Sequence, residues 1–277
     1  MPGSDLNELT RALGSPGHLQ SPLLAEAGFR HAFFTRQGGV SRAPFESLSF
    51  STAVGDEPAD VEENLRRAGA LLGVEAEHVL YLSQVHGRQA RFCRSNAGSA
   101  RSLLITLEGD ALGGSEPDRA YGVRSADCVP ILLADAGSGA VMAIHAGWRG
   151  VVAGVVETGV TTLRQNIGGN GRLLAAIGPH ISAAAFEVSP EVAAELSRVS
   201  PVPGCILYPQ GRIPPAKPHV DLRFIVTQKL FALGLTEASV DQIIGCTQLE
   251  PERFFSFRRD GKRSGRHLSA IVPRLAV

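Results

Sequence analysis

Around Gly147-Trp148-Arg149-Gly150 the hydrophobic period of this chain changes. The run Ala140 to His145 has the compact apolar character of a buried strand, whereas Val152, Val156, Val160, Leu163 and Ile167 recur at helical spacing and mark one face that ends near Gly168-Gly169. A strand that passes directly into a helix predicts mixed α/β structure, and the remainder keeps alternating. Strands are expected over Phe29 to Thr35, Val79 to Gln84, Arg91 to Cys93, Leu103 to Leu107, Gly122 to Ser125 and Val129 to Ala134, then over Leu173 to Ile177, Val240 to Cys246 and His267 to Val272. Helices are expected between Glu57 and Gly73, where Pro58 suits the first turn, and over Pro190 to Val199 and Leu222 to Leu233, with a Pro-rich loop from 201 to 218. The fold class is therefore mixed α/β. Residues 1 to 22 are rich in Gly, Ser and Pro and read as a loose leader before one domain spanning 23 to 277.

The charge balance narrows the partners. Lys and Arg total 27, as do Asp and Glu, so no basic field awaits a nucleic-acid backbone or an anionic membrane. No apolar stretch approaches the roughly 18 to 20 residues of a membrane span. The N-terminus lacks the apolar core of a secretory signal, so a cytoplasmic location is expected. The four cysteines, Cys93, Cys128, Cys205 and Cys246, form no CxxC pair, which speaks against a zinc ribbon or a redox dithiol. Small molecules are the expected partners; the oligomeric state is not legible.

Three short segments at predicted strand ends concentrate reactive side chains: Gln84-Val85-His86-Gly87, Ala126-Asp127-Cys128-Val129-Pro130 and Ile144-His145-Ala146-Gly147. Two imidazoles and one thiolate, His86, His145 and Cys128, supply the three protein ligands of a catalytic zinc whose fourth position takes water or substrate. Such a metal lowers the pKa of bound water to about 7, which suits hydrolytic or deaminating chemistry. Each residue alone, a His or Cys beside a sheet, is more often a satisfied core residue than a ligand. The other cysteines read as buried or loop residues, and His18, His31 and His78 as solvent-facing. His180, after Gly178-Pro179, is a candidate for the same cleft.

A helix starting at Trp148 aims free N–H groups toward His145, so an anion could sit there beside Arg149. The loop Arg36-Gln37-Gly38-Gly39 is a further candidate for ligand contact. Phe254-Phe255-Ser256-Phe257-Arg258-Arg259 mixes aromatic rings with guanidiniums suited to a planar base and oxyanions. No GxxxxGK[ST] loop and no GxGxxG follows a strand, so nucleoside triphosphate and NAD(P) chemistry are unsupported.

Taken together, TRQGGVS at 35 to 41, QVHG at 84 to 87, SADCVPILL at 125 to 133, IHAGWRG at 144 to 150, IGPHIS and FEV within 177 to 188, and FFSFRRDG with GRHLSAIV within 254 to 272 resemble one family throughout, in order. That family is variously called multi-copper polyphenol oxidoreductase, laccase-domain or YfiH-like purine nucleoside phosphorylase. The resemblance implies an α/β fold, an α+β sandwich of mixed sheets covered by helices and similar to the catalytic domain of cytotoxic necrotizing factor, with metal ligation by His86, Cys128 and His145, and phosphorolysis of adenosine, inosine and methylthioadenosine together with adenosine deamination. Purine nucleosides and phosphate are then the partners. Arg36, Arg149 and Arg258 match its basic motif positions; they and Gln84 are expected to hold substrate or phosphate, and Asp127 to handle protons. A true multi-copper oxidase needs many histidines, usually with HxH pairs, and this chain has 8 with no HxH. Zinc is thus the expected metal, with copper possible. Other readings are a hydrolase with Cys128 as nucleophile and His145 as base, a peptidoglycan-precursor editing hydrolase, a laccase-like polyphenol oxidase, and a binding module closed by a fourth ligand such as His180.

Overall fold

The computed structural model describes residues 15–94, 100–169, 171–208 and 216–275. Most of the leader and the centre of the Pro-rich loop lie outside the described residues.

Two mixed sheets pack face to face. One has the order β1 (His18–Leu19), β2 (His31–Phe34), β13 (His267–Ile271), β6 (Ala120–Ser125) and β3 (Val79–Leu80), antiparallel except for the β6/β3 pair. The other has the order β12 (Val240–Gln242), β9 (Leu173–Ile177), β7 (Val129–Asp135), β8 (Val141–Ala146), β5 (Ala111–Gly114) and β4 (Ala90–Cys93), with parallel pairs only at its two edges. A small ribbon joins β10 (Ile206–Leu207) to β11 (His219–Val220).

Alternation along the strands sorts their side chains between layers. On β7, Leu132 and Ala134 face the first sheet and join Phe33, Leu80, Tyr121, Val123 and Ile271 in the inner core. Val129, Ile131 and Leu133 face the other way, with Met142 and Ile144 of β8, toward helices. Those helices are α4 (Trp148–Ala153), α5 (Val155–Ile167), α6 (Pro190–Val199) and α7 (Leu222–Ala232). The outer face of the first sheet is covered by α2 (Pro58–Leu72), whose Val61, Leu65, Ala68 and Leu72 meet Phe34, Leu268 and Ala270. Short helices α1 (Pro22–Glu26), α3 (Arg101–Leu104) and α8 (Phe257–Asp260) lie in connections. The result is a four-layer mixed α/β sandwich, and no helix among the described residues is long and apolar enough to cross a membrane.

Several sequence expectations shift. The helix expected from Trp148 to Ile167 breaks at Gly154, whose φ of +93° ends α4 and caps α5. Leu103 to Leu107, read as a strand, begins instead within α3 and is followed by turns that let Ser83 pair with Glu108. The end of the presumed leader is docked: β1 adds an edge strand, and Ser21 caps α1 by accepting from the Leu24 N–H. His31 is buried rather than solvent-facing, its Nε2 accepting from the Ser21 N–H and its ring making a second bond to the Phe29 carbonyl.

Candidate metal and nucleoside site

The C-terminal ends of β6 and β8 and the start of β7 meet at one rim of the sandwich, between the two sheets. His145 has the strand parity of Val141 and Ala143, so its ring points to the inter-sheet side. Cys128 sits in the turn from β6 to β7, and His86 in the loop after β3. The ligating atoms of these three residues all lie within 4.8 Å of one another. Cys128 Sγ is 3.7 Å from His86 Nε2, and the two imidazole centroids are 4.9 Å apart.

Local backbone makes this convergence possible. His86 and Asp127 hold φ of +58° and +96°, a region L-residues seldom adopt, so both turns are held by their surroundings. Gly147 has ordinary φ, yet a Cβ there would lie 2.7 Å from His86 Cδ2 and 3.0 Å from Cys128 Sγ. Its hydrogen is what lets the ring and the sulfur approach the end of β8.

The residue that organises the centre escaped the sequence motifs. Asp110, immediately before β5, is fully buried. Its Oδ1 accepts from the His86 N–H at 3.0 Å and from His145 Nδ1 at 2.8 Å, while Oδ2 accepts from the Gly87 N–H at 2.7 Å and, more weakly, from that of Val85 at 3.3 Å. A carboxylate that receives the Nδ1 proton of His145 leaves Nε2 of that ring for the centre, the usual arrangement behind a metal-bound imidazole. Burial opposes charge on Asp110, and the bonds from His145 and the loop amides outweigh it, so its pKa falls. Burial likewise opposes a thiolate at Cys128 and an imidazolium at His145, but each stabilises the other and Asp110 reinforces His145; the thiol is pushed down and the imidazole up. The only signal in the sequence was an acid preceding an apolar run.

This donor set fits a divalent transition metal: two imidazoles, one thiolate already favoured, a carboxylate orienting one ring, and a glycine cradle. The fourth side opens to a cleft of about 770 Å3. Among the predicted residues, Gln84, Asp127, Arg149 and Arg258 line that cleft, and Arg36 does not. Arg36 instead ties loops together, donating to the Glu46 and Pro251 carbonyls and stacking on Phe255. Gln84 spends both ends of its amide on the backbone of Arg124, at 2.6 and 2.7 Å. Asp127 accepts from Thr247 Oγ1 and from the Arg258 N–H, both at 2.6 Å. Arg149 is exposed and stacked on Trp148. Arg258 donates to the Glu187 carbonyl beside Phe186. His180 is buried with Nδ1 on the Gly178 carbonyl and belongs to neither the three-donor cluster nor the cleft wall. Two guanidiniums without an assigned role in the sequence reading, Arg124 and Arg266, also line the cleft.

Residues 30–274 match the family model described as multi-copper polyphenol oxidoreductase laccase. The chain is 37% identical over 243 residues to a purine nucleoside phosphorylase of Streptomyces griseus, covering 88% of this chain and 93% of that one. It is 35% identical over 240 residues to the purine nucleoside phosphorylase YfiH of Escherichia coli, covering 86% and 90%. Among solved structures, YlmD of Geobacillus stearothermophilus superposes with a TM-score of 0.83 at 29% identity, over 94% of this chain and 97% of that one.

Proposed function

This chain belongs to the multi-copper polyphenol oxidoreductase laccase family, and on that premise we propose that it is a metal-dependent purine nucleoside phosphorylase acting on adenosine, inosine and methylthioadenosine, with adenosine deamination at the same site. The observation that carries this reading is the joining of a three-donor centre to a cleft whose walls combine four guanidiniums with Trp148, Phe186 and Phe257. Relatives named purine nucleoside phosphorylase, at 35 to 37% identity over most of the chain, support the same substrate class.

His86, Cys128 and His145 would hold the metal, and Asp110 would fix the tautomer of His145. When bound, the metal would supply Lewis-acid polarisation or a water of lowered pKa. Zinc suits mixed imidazole and thiolate donors, while the axial methionine of a blue-copper site finds no counterpart among the described residues, since Met142 points to the helix-covered face.

In phosphorolysis a phosphate oxygen bonds to ribose C1′ as the bond from C1′ to the purine nitrogen breaks. The electron pair leaves with the base, which ends with the proton the phosphate carried. The guanidiniums bind the anion and stabilise the charge that moves between phosphate and base. The aromatic walls take the purine face and exclude water. In this reading Asp127 is a positioning residue, its two oxygens holding Thr247 and the Arg258 segment. In deamination water adds at C6 of adenosine and ammonia leaves.

One observation favours a second reading. Cys128, His145 and Asp110 also stand in the order of nucleophile, base and orienting acid. A covalent adduct on Cys128 of metal-free protein, found by mass spectrometry, would support a thiol hydrolase instead.

Product analysis of adenosine incubated with zinc-loaded and chelator-stripped protein, each with and without phosphate, separates these. Adenine and ribose 1-phosphate are expected only with metal and phosphate together, and inosine reports deamination. Well-folded, zinc-loaded protein that yields neither product contradicts the proposal.

A further inference from the structure

Four guanidiniums line the cleft, and among the described residues none of them pairs with a carboxylate, although arginines elsewhere do so repeatedly. Each lies over an aromatic ring, and two of them, Arg149 on Trp148 and Arg258 on Phe186, are exposed at the mouth. The other two are set deeper, by the sheet itself.

Arg124 on β6 lies opposite Leu268 on β13, and continuing that register one residue past the start of β13 puts Arg266 diagonal to it on the same face of the antiparallel pair. Such diagonal side chains sit within roughly 7 to 8 Å and are in reach of one another when long. Each backbone is pinned. The Gln84 amide holds both the N–H and the carbonyl of Arg124, and the Arg266 carbonyl accepts from the Phe50 N–H at 3.0 Å. Their positions are fixed although their charges repel.

The Arg124 guanidinium is poorly satisfied. It stacks on Tyr81, its contacts to the Phe50 carbonyl and Ser51 Oγ are 3.4 Å, that to the Leu82 carbonyl is 3.5 Å, and its buried Nε has no partner among the described residues. Those distances lie beyond the 2.7 to 3.2 Å of a good N–H···O bond. Arg266 uses Nη1 on the Ser264 and Gly265 carbonyls and feels the charge of Cys128. Burial pushes the pKa of both groups down, and for Arg266 the nearby Arg124 adds to this. Two adjacent, partly desolvated cations that line the same cleft as the three donors, neither of them ion-paired among the described residues, leave a place for one compact anion, with Asp127 the carboxylate whose charge reaches Arg266.

The geometry points to Arg124 and Arg266, with the Ser51 hydroxyl, as the seat of the orthophosphate co-substrate. This rests on the phosphorolysis reading and moves the phosphate away from Arg149, where the sequence had placed it. Arg149 is exposed, and the helix it opens, α4, has only six residues, too short for a strong anion-binding end. A tetrahedral oxyanion accepts bonds from forked donors on two sides, the geometry guanidiniums provide. Arg149 and Arg258 are then left to the nucleoside near the mouth.

The test compares Arg266→Gln, Arg266→Lys, Arg124→Lys and Arg149→Gln in zinc-loaded protein, with zinc content and melting temperature as controls. Two readouts are used: calorimetric titration with inorganic phosphate, which needs no turnover, and steady-state phosphorolysis of inosine with phosphate varied. R266Q is expected to weaken phosphate binding and raise the phosphate KM at least about tenfold while the inosine KM moves less than about twofold, with R266K recovering part of the loss. R124K should act in the same direction, and R149Q should move the inosine KM more than the phosphate KM. If R124K does not fold, the R266Q and R266K pair decides the matter. The inference is overturned if R266Q binds phosphate like the wild type, or if R149Q alone loses it. Wild-type protein that binds phosphate through Arg266 but forms no ribose 1-phosphate would instead sink the phosphorolysis reading and leave this anion seat standing.

Discussion

His145 donates from Nδ1 to Asp110 Oδ1 across 2.8 Å, and the same oxygen accepts the backbone N–H of His86 at 3.0 Å. One buried carboxylate therefore sets the ring of one candidate ligand and the loop of another, linking β8 to the segment after β3. Its other oxygen closes the loop through Gly87. The precision of the centre depends on a residue that would itself bind no metal.

Replacing Asp110 with Asn puts an amide where four N–H groups converge, so at least one buried donor is left facing another. Loss of such a partner commonly costs about 10- to 100-fold in metal affinity. Zinc competition against a chromophoric chelator should show that drop in D110N. Unchanged affinity would mean that the loop after β3 holds its shape without the carboxylate.

Gly147→Ala probes the cradle by volume alone, since the φ of −70° at this position suits alanine. The added methyl would overlap His86 Cδ2 and crowd Cys128 Sγ. Far-UV circular dichroism should be unchanged, with zinc occupancy and nucleoside turnover both reduced. Full occupancy in G147A would show that the ligands do not close up as tightly as the fold places them.

Thr247→Val removes the hydroxyl that donates to Asp127 Oδ1 at 2.6 Å and leaves that oxygen buried without its donor. The expected cost is about 1 to 3 kcal/mol in urea unfolding, with a raised nucleoside KM as the Arg258 segment loosens. Stability and KM both at wild-type values would release Asp127 from a positioning role.

Three histidines away from the centre make the fold acid-sensitive. Burial holds His267 at about 3 and His180 at about 4, and lowers His31, all below the ordinary value near 6.5. The unfolded chain binds protons at these sites first, so their contribution is complete above pH 6.5 and shrinks as pH falls toward the folded values. Between pH 7.5 and pH 5, His267 and His180 should each remove about 2 kcal/mol of unfolding free energy. Urea titrations of metal-free protein at the two pH values check this; equal stabilities would contradict it.

The three candidate donors, His86, Cys128 and His145, were legible because imidazoles and a thiol beside Gly, Pro and turn residues stand out against apolar strands. Asp110 was not, since its partners lie 23 to 35 positions away in sequence and its strand, Ala111-Leu112-Gly113-Gly114, lacks the β-branched residues that advertise one. Most strands and helices could be located, but not their layering, because β7 is buried on both faces and its unbroken apolar run conceals which side meets helices. Arg124 and Arg266 were hidden for a related reason: only the β6/β13 register makes neighbours of residues 142 positions apart.

The most direct test of a metal-centred nucleoside chemistry is Cys128→Ala, followed by bound zinc and by ribose 1-phosphate formed from inosine and phosphate. Loss of both zinc and product from a folded protein is the expected result. Ribose 1-phosphate formed at the wild-type rate by metal-free C128A would contradict a turnover that depends on metal held by His86, Cys128 and His145.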